Sequence, residues 1–323
     1  MRRIQKLQLD ALADRKVTKM YGFRSLLADF LALSSERGLL PKTSELPATS
    51  RESLRGTMQS NEVLSKVPAV TLGFWLIKIL ATTLGETGGD AVTMSWLHAD
   101  VHPHNGGYLI GSGIFLGVFI AAVIAQILAK RFNPWIYWLA IVASTTVGTA
   151  MADLFDRSLG IGYVGGSSIL LACVVCSLAI WYLTLGSINV QTVATPKVEI
   201  FYWVTITFSQ TLGTALGDWI ADDTGLGYQG GALVFCAGLV VLAALYYRTT
   251  VSRVLLFWAA FILTRPLGAT VGDFLDKPIS AGGLDLNRSL ASGVIFAVIV
   301  LLILVLPQRP GRHPGSSVAT QVQ

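Results

Sequence analysis

The chain has 323 residues, of which 53% are hydrophobic and only 13% charged, and its mean hydropathy is +0.60. A soluble protein of this size carries about a quarter charged residues, so a water-soluble enzyme or binding module is excluded and a polytopic membrane protein is expected. The net charge of +5 lies wholly in residues 1–66, where twelve Lys/Arg oppose seven Asp/Glu; residues 67–323 hold twelve of each.

The basic segment 1–66 reads as a cytoplasmic extension, because positive segments stay on the cytoplasmic side. Its bases are too dispersed, and too poor in interleaved aromatics, for nucleic-acid binding. No apolar core of signal-peptide type follows the basic start. Ser25–Leu33 (SLLADFLAL) is expected as a short amphipathic helix, and composition changes near Met58. The stretch before it is expected to be weakly structured, or to precede the native start site.

Eight apolar runs come next, each read as a bilayer crossing: Val70–Leu84, Leu109–Ala129, Trp135–Ala152, Gly165–Leu185, Val198–Ile220, Gly230–Tyr247, Val254–Val271 and Leu290–Leu306. The connections alternate in charge. Lys130 and Arg131, Lys197, Arg248 and Arg253, and Arg309 and Arg312 fall on one side. On the other are HADVHPHN without Lys or Arg, Asp156 with Arg157, Asp222 with Asp223, and a mixed loop with Asp276, Lys277, Asp285 and Arg288. Taking the basic loops as cytoplasmic gives a multi-pass protein of the cell membrane with both termini cytoplasmic. Cys173, Cys176 and Cys236 fall inside apolar runs and read as small packing residues.

One motif recurs in every odd-numbered run: TTLGETGGD (Thr82–Asp90), TTVGTAMAD (Thr145–Asp153), QTLGTALGD (Gln210–Asp218) and RPLGATVGD (Arg265–Asp273). A GxGY-type block comes after the first three copies, ending at Tyr108, Tyr163 and Tyr228; the fourth reads GGLDLNR. The expected architecture is therefore all-α: a polytopic membrane helix bundle of eight transmembrane helices arranged as four parallel two-helix repeats. The expected boundaries are an extension at 1–66, repeats at 67–132, 133–190, 191–249 and 250–308, and a cytoplasmic tail at 309–323. The odd helices hold nearly all the polar residues and are expected inside; the even ones are expected to face lipid.

In these residues the chain resembles a family of bacterial multi-pass membrane proteins built from such a repeat and described as uncharacterised membrane-anchored proteins. The resemblance rests on ATTLGETGGD at 81–90, the GLGY blocks, GTALGDWIADDTGLGY at 213–228 and RPLGATVGDFLDKP at 265–278. It covers roughly Asn61–Pro307. Two departures are an enlarged, His-rich first outer loop and Met151–Ala152 in place of the usual Gly-rich step. The resemblance implies fold and topology, and no activity.

Gly85 and Gly89, Gly148 and Ala152, Gly213 and Gly217, and Gly268 and Gly272 are each four apart. This spacing puts the small residues on one helix face and lets backbones approach. Packing alone does not require Asp90, Asp153, Asp218 and Asp273 at one register. From Pro68 to Asp90 is roughly 33 Å of helix, which places the Asp ring near the outer boundary of the hydrocarbon core. Lys78 and Arg265 are expected near mid-membrane, with Pro266 loosening its helix. Glu86 lies one turn below Asp90, and Gln210 aligns with Arg265. Ionisable residues at such depth must pair or serve function, and a Lys78–Glu86 pair is the simplest expectation.

Glu86 and the four Asp against Lys78 and Arg265 leave an excess of carboxylates, which selects cations and suits Mg²⁺, Mn²⁺ or Ca²⁺. The central bases disfavour an open pore. The expected function is a secondary carrier or exporter of an inorganic or small cation, with a divalent metal favoured. The alternatives are a non-transporting scaffold or sensor, or an anion or small-solute carrier using Lys78 and Arg265. His98, Asp100, His102 and His104 form a weaker metal-binding possibility in the first outer loop. No nucleophile–base set, P-loop or zinc-protease helix occurs, so no enzyme and no cofactor are expected. The expected partners are the lipid bilayer and a metal or small cation.

Overall fold

The computed structural model describes residues 64–99 and 106–312. The helix expected at Ser25–Leu33, the extension before Met58, and Asp100, His102 and His104 lie outside the described residues.

Eight long helices occur among the described residues: α1 (Leu72–Asp90), α2 (Gly107–Leu128), α3 (Pro134–Asp153), α4 (Tyr163–Leu185), α5 (Pro196–Asp218), α6 (Gly227–Arg248), α7 (Arg253–Asp276) and α8 (Arg288–Val305). Their starts reflect local chemistry. The side chains of Thr71, Asn133, Ser252 and Asn287 accept hydrogen bonds from the first-turn amides of α1, α3, α7 and α8, and Pro134 and Pro196 occupy first-turn positions whose N–H would be unpaired anyway. α7 runs unbroken through Pro266. Two short strands, β1 (Leu64–Pro68) and β2 (Pro310–Arg312), pair antiparallel and join the chain entering α1 to the chain leaving α8. The expected extension therefore ends earlier than 66, because Ser65 and Lys66 are already buried in β1. α1 also begins at Leu72, later than the apolar run, and at 19 residues is about 28 Å long.

Six helices, α2, α3, α4, α6, α7 and α8, are long and apolar enough to cross a membrane. α1 and α5 match them in length but carry Lys78, Glu86 and Asp90, and Lys197, Glu199 and Asp218. The even helices leave large apolar side chains such as Leu183, Leu233, Leu290 and Leu304 exposed, a surface suited to lipid and not to water.

The odd helices pack in a closed ring, α1 on α3, α3 on α5, α5 on α7 and α7 on α1. Each even helix packs mainly on the odd helix of the following repeat: α2 on α3, α4 on α5, α6 on α7, and α8 back on α1. The repeats are thus interlocked, and a repeat is not a self-contained hairpin.

The ring is fixed by its glycines. A Cβ at Gly85 would run into Thr145, one at Gly148 into Gln210, one at Gly213 into Arg265 and one at Gly268 into Thr82. The notch of each ring helix therefore receives the side chain three residues before the glycine of the next. The second small residue repeats the arrangement, with Gly89 against Thr149, Gly217 against Ala269 and Gly272 against Glu86. Threonines add hydrogen bonds across two junctions: Thr145 Oγ1 donates to the Ala81 carbonyl at 3.1 Å and Thr82 Oγ1 to that of Thr264 at 3.2 Å.

Gly268→Ala should lower stability by about 1–3 kcal/mol, the range for overpacking a tight contact. Gly113→Ala, where a Cβ meets nothing within 4 Å, should cost nothing. Thermal unfolding of the purified variants in detergent compares them.

Candidate functional site

The shared register stacks the ring side chains in layers along the axis. At one end is an aromatic belt. Each ring helix carries Trp ten residues before its glycine, preceded by Phe or Tyr: Phe74–Trp75, Tyr137–Trp138, Tyr202–Trp203 and Phe257–Trp258. The Phe or Tyr of each helix meets the Trp of the next, with centroids 5.5 Å apart for Phe74 and Trp138, 6.0 Å for Tyr137 and Trp203, 6.3 Å for Tyr202 and Trp258, and 5.7 Å for Phe257 and Trp75. The Tyr137 and Tyr202 hydroxyls hydrogen-bond at 2.7 Å. Beneath this belt Lys66 of β1 pairs with Glu199 at 2.6 Å and donates to the Ile127 carbonyl at the end of α2.

The next layer holds Lys78 with Ile141, Ile206 and Phe261, all fully buried. Lys78 Nζ lies 4.2 Å from the centre of the Phe261 ring and has no hydrogen-bond partner. It does not pair with Glu86, contrary to the expectation from sequence. One turn further along, Arg265 and Gln210 occupy equivalent positions with Thr82 and Thr145. Gln210 Nε2 donates to Ser144 Oγ at 3.3 Å.

Arg265, wholly buried, holds the centre. Its Nη2 donates to Glu86 Oε2 at 2.8 Å, to Thr149 Oγ1 at 2.7 Å and to Thr214 Oγ1. Glu86, Thr149 and Thr214 stand one residue after the glycine on α1, α3 and α5; the fourth such residue, Ala269, lies on the same helix as Arg265. One guanidinium therefore ties α7 to the other three ring helices. Arg265, expected near mid-membrane, is the keystone of the ring in this state.

The four Asp form the outermost layer, and all are buried. They are not the end of their helices: π-helical turns at Ala91–Trp96, Leu154–Ser158 and Trp219–Asp223 continue the first three. Nor are they bare. Lys277 Nζ bridges Asp90 and Asp273, the latter at 3.1 Å. Arg157 bridges Asp153 at 2.7 Å and Asp218 at 3.8 Å. Each base stands four residues after the Asp of its own repeat and reaches the Asp of the next. Sequence reasoning placed both in outer loops and so overestimated the acid excess. The available signal was D-x-x-D-[RK], present at Asp153–Arg157 and Asp273–Lys277 and absent from repeats one and three.

One oxygen each of Glu86, Asp90 and Asp273 lies within 4.8 Å of the others, a spacing that suits a single cation. All three sit at the α1–α7 junction. Asp153 and Asp218 are brought together at the α3–α5 junction, where the residue equivalent to Glu86 is Thr214. His98 is exposed, with a left-handed φ of 53°, and is not part of this site.

Breaking the Arg265–Glu86 pair from one side leaves a buried charge uncompensated, so Arg265→Met should destabilise by about 3–5 kcal/mol. Arg265→Met with Glu86→Met should recover most of that loss. Lys78→Met, which removes an ammonium without a hydrogen-bond partner, should cost far less than Arg265→Met. Thermal unfolding of the four proteins in detergent reads all three comparisons.

Residues 73–132, 136–187, 201–252 and 256–309 each match one family model, described as a repeat of unknown function (DUF347). No curated protein and no solved structure matches the chain.

Proposed function

We propose that this chain, which belongs to the DUF347 repeat family, is a membrane carrier that moves a small inorganic cation, a divalent metal by preference, along the axis of its helix ring. The observation that carries the reading is the convergence of Glu86, Asp90 and Asp273, all buried, on one point at the α1–α7 junction. Buried intramembrane carboxylates are costly, and a packing role for the motif is already met by its glycines. Asp153 and Asp218 complete the acidic layer. Gln210, Thr82 and Thr145 offer neutral oxygens further along the path. The aromatic belt and the Arg265 keystone block an open pore, which favours a carrier that must change state to pass its ion.

The same reading takes the chain across the membrane eight times. α1 and α5 share the ring register with α3 and α7, so they cross wherever those helices cross. The β1–β2 pairing puts the entry to α1 and the exit from α8 on one face, which requires an even number of crossings. Lys130, Arg131, Lys197, Arg248, Arg253 and Arg309 collect on that face and make it cytoplasmic. No catalytic step and no cofactor belong to this reading.

In proteoliposomes the wild-type protein should conduct saturable Mn²⁺ flux. Glu86→Gln and Asp273→Asn, purified as folded protein, should reduce it at least roughly tenfold, the effect of losing one charged ligand. Wild-type flux in both variants would sink the proposal. The specific observation on the side of a non-transporting scaffold is the complete pairing of the Asp layer by Lys277 and Arg157; absence of flux with every metal tested, in wild type as in variants, selects that reading.

A further inference from the structure

The two bridged Asp pairs have the same geometry and different chemistry. At α3–α5 the bridge is Arg157, a delocalised cation that holds its charge permanently and suits a lasting carboxylate contact. At α1–α7 the bridge is Lys277, a point charge on a flexible stem. Among the described residues, the second junction alone has a third carboxylate, Glu86, within reach, and a sulfur approaches there, with Met94 Sδ 3.6 Å from Lys277 Nζ. Asp90 Oδ1 at this junction is buried and has no hydrogen-bond partner. The ammonium is thus seated in a pocket with more acceptors than it uses. A compact cation there meets Asp90, Asp273 and Glu86 as ligands and a thioether at their edge. The charged groups around the pocket are Arg265, which holds Glu86, Asp276, whose Oδ2 lies 3.7 Å from Arg288 Nε, and, from the next junction of the same layer, Asp153 and Asp218 with their bridging Arg157.

We propose that the Glu86–Asp90–Asp273 cluster is an exchangeable metal site whose resting occupant is the Lys277 ammonium, tethered to the chain and displaced when a divalent first-row transition-metal ion binds. The inference rests on the reading of these carboxylates as cation ligands, though not on transport itself. Three carboxylates balance a divalent ion with one negative charge left over. The site then keeps its affinity while the displaced ammonium stays near, on the outer end of the same helix. The tether serves two ends. It prevents Asp90 and Asp273 from standing unpaired between binding events, and it makes occupancy competitive, so that the ion must outbid a cation already in place. Met94 sets the metal class, because a thioether adds to the affinity for Fe²⁺ or Co²⁺ and little to that for the harder Mn²⁺, Ca²⁺ or Mg²⁺.

The test is Mn²⁺ binding by the purified full chain in detergent, read from the loss of the free-ion electron paramagnetic resonance signal, with Co²⁺ and Ca²⁺ as competitors. Removing the tether in Lys277→Met should tighten Mn²⁺ binding roughly tenfold or more, since a unit positive charge leaves the site. Arg157→Met removes a charge that acts on this cluster from the next junction, and should tighten Mn²⁺ binding by clearly less than Lys277→Met. Lys277→Arg keeps a permanent cation in place, guards against misfolding as the explanation, and should weaken binding roughly tenfold. Equal affinity in wild type, Lys277→Met and Lys277→Arg overturns the tether, as does equal tightening by Arg157→Met. Ca²⁺ competing as well as Co²⁺ overturns the metal class. No Mn²⁺ binding in wild type or in folded Lys277→Met overturns the cation reading of the carboxylates as a whole.

Discussion

Everything in this protein depends on how closely its four odd helices approach. Each presents a glycine to its neighbour, and into each notch goes the side chain three residues before the neighbour's own glycine: Thr145, Gln210, Arg265 and Thr82. Close contact of this kind is the main source of helix association in a bilayer, where the hydrophobic effect offers no help. It also locks register. Once the notches are filled, every position counted from the glycine falls at one depth on all four helices. The aromatic belt, the Lys78 layer, the Arg265 layer and the Asp layer all derive from that single constraint.

On this near-fourfold frame the charges are arranged with lower symmetry. The Asp are fourfold, the bridging bases Arg157 and Lys277 are twofold, and Glu86 and Arg265 occur once each. Electrostatics explains the first reduction. Four buried carboxylates in one layer cannot stay ionised side by side without compensation, and a base on alternate repeats, each reaching forward to the next Asp, neutralises the layer by half with two residues. The second reduction has a different effect. Arg265 and Glu86 form a pair at levels where the other repeats have neutral residues (Thr82, Thr145 and Gln210; Thr149, Thr214 and Ala269), and the Arg265 contacts reach every other ring helix. The ring is therefore stapled at its centre by one side chain and compensated at its edge by two.

How much of this is legible in the sequence depends on whether a feature repeats. The glycines and Asp recur at one spacing, so their common packing face and common depth were legible without any structure. The even helices, almost devoid of polar residues, were legible as the outer layer. The aromatic belt is equally periodic, ten residues before each glycine, and was not anticipated; Trp and Tyr also mark membrane interfaces, so their presence does not by itself announce ring contacts. Pairings are a different matter. Lys78 matches Glu86 only as a buried ionisable residue of opposite sign in the same repeat, whereas the partner of Glu86, Arg265, is 179 residues away; no periodicity reports a contact across a ring whose closure is unknown. Arg157 and Lys277 were assigned to loops because the helices were expected to stop at the Asp, and π-helical continuation of the first three carries no strong compositional mark. The order of packing, each even helix on the next repeat, was hidden for the same reason: order along the chain does not fix neighbours in space.

Ring closure also explains why the unusual residues gather where they do. Three of the four ring junctions join consecutive repeats, whose even helix packs across to the next odd helix and whose connecting loop limits how far the two can part. The α7–α1 junction joins the last repeat to the first, with no such connection. It is held by α8 lying back on α1, by the two short strands β1 and β2, and by side chains: the Arg265–Glu86 pair and the Lys277 bridge between Asp273 and Asp90. Covalent connectivity makes the other junctions costly to separate whatever their side chains. Here the side chains themselves set the cost, with ion pairs added to the notch contacts of Gly268 with Thr82 and Gly272 with Glu86. A junction secured by ion pairs is one whose strength changes when a cation is exchanged or a proton moves, whereas a junction secured by glycine and threonine contacts alone is indifferent to both. Lys78, Glu86, Arg265 and Lys277 all belong to the two helices of this seam, so the asymmetry that first appeared as one odd acidic residue in one repeat belongs to the place where the two ends of the bundle meet.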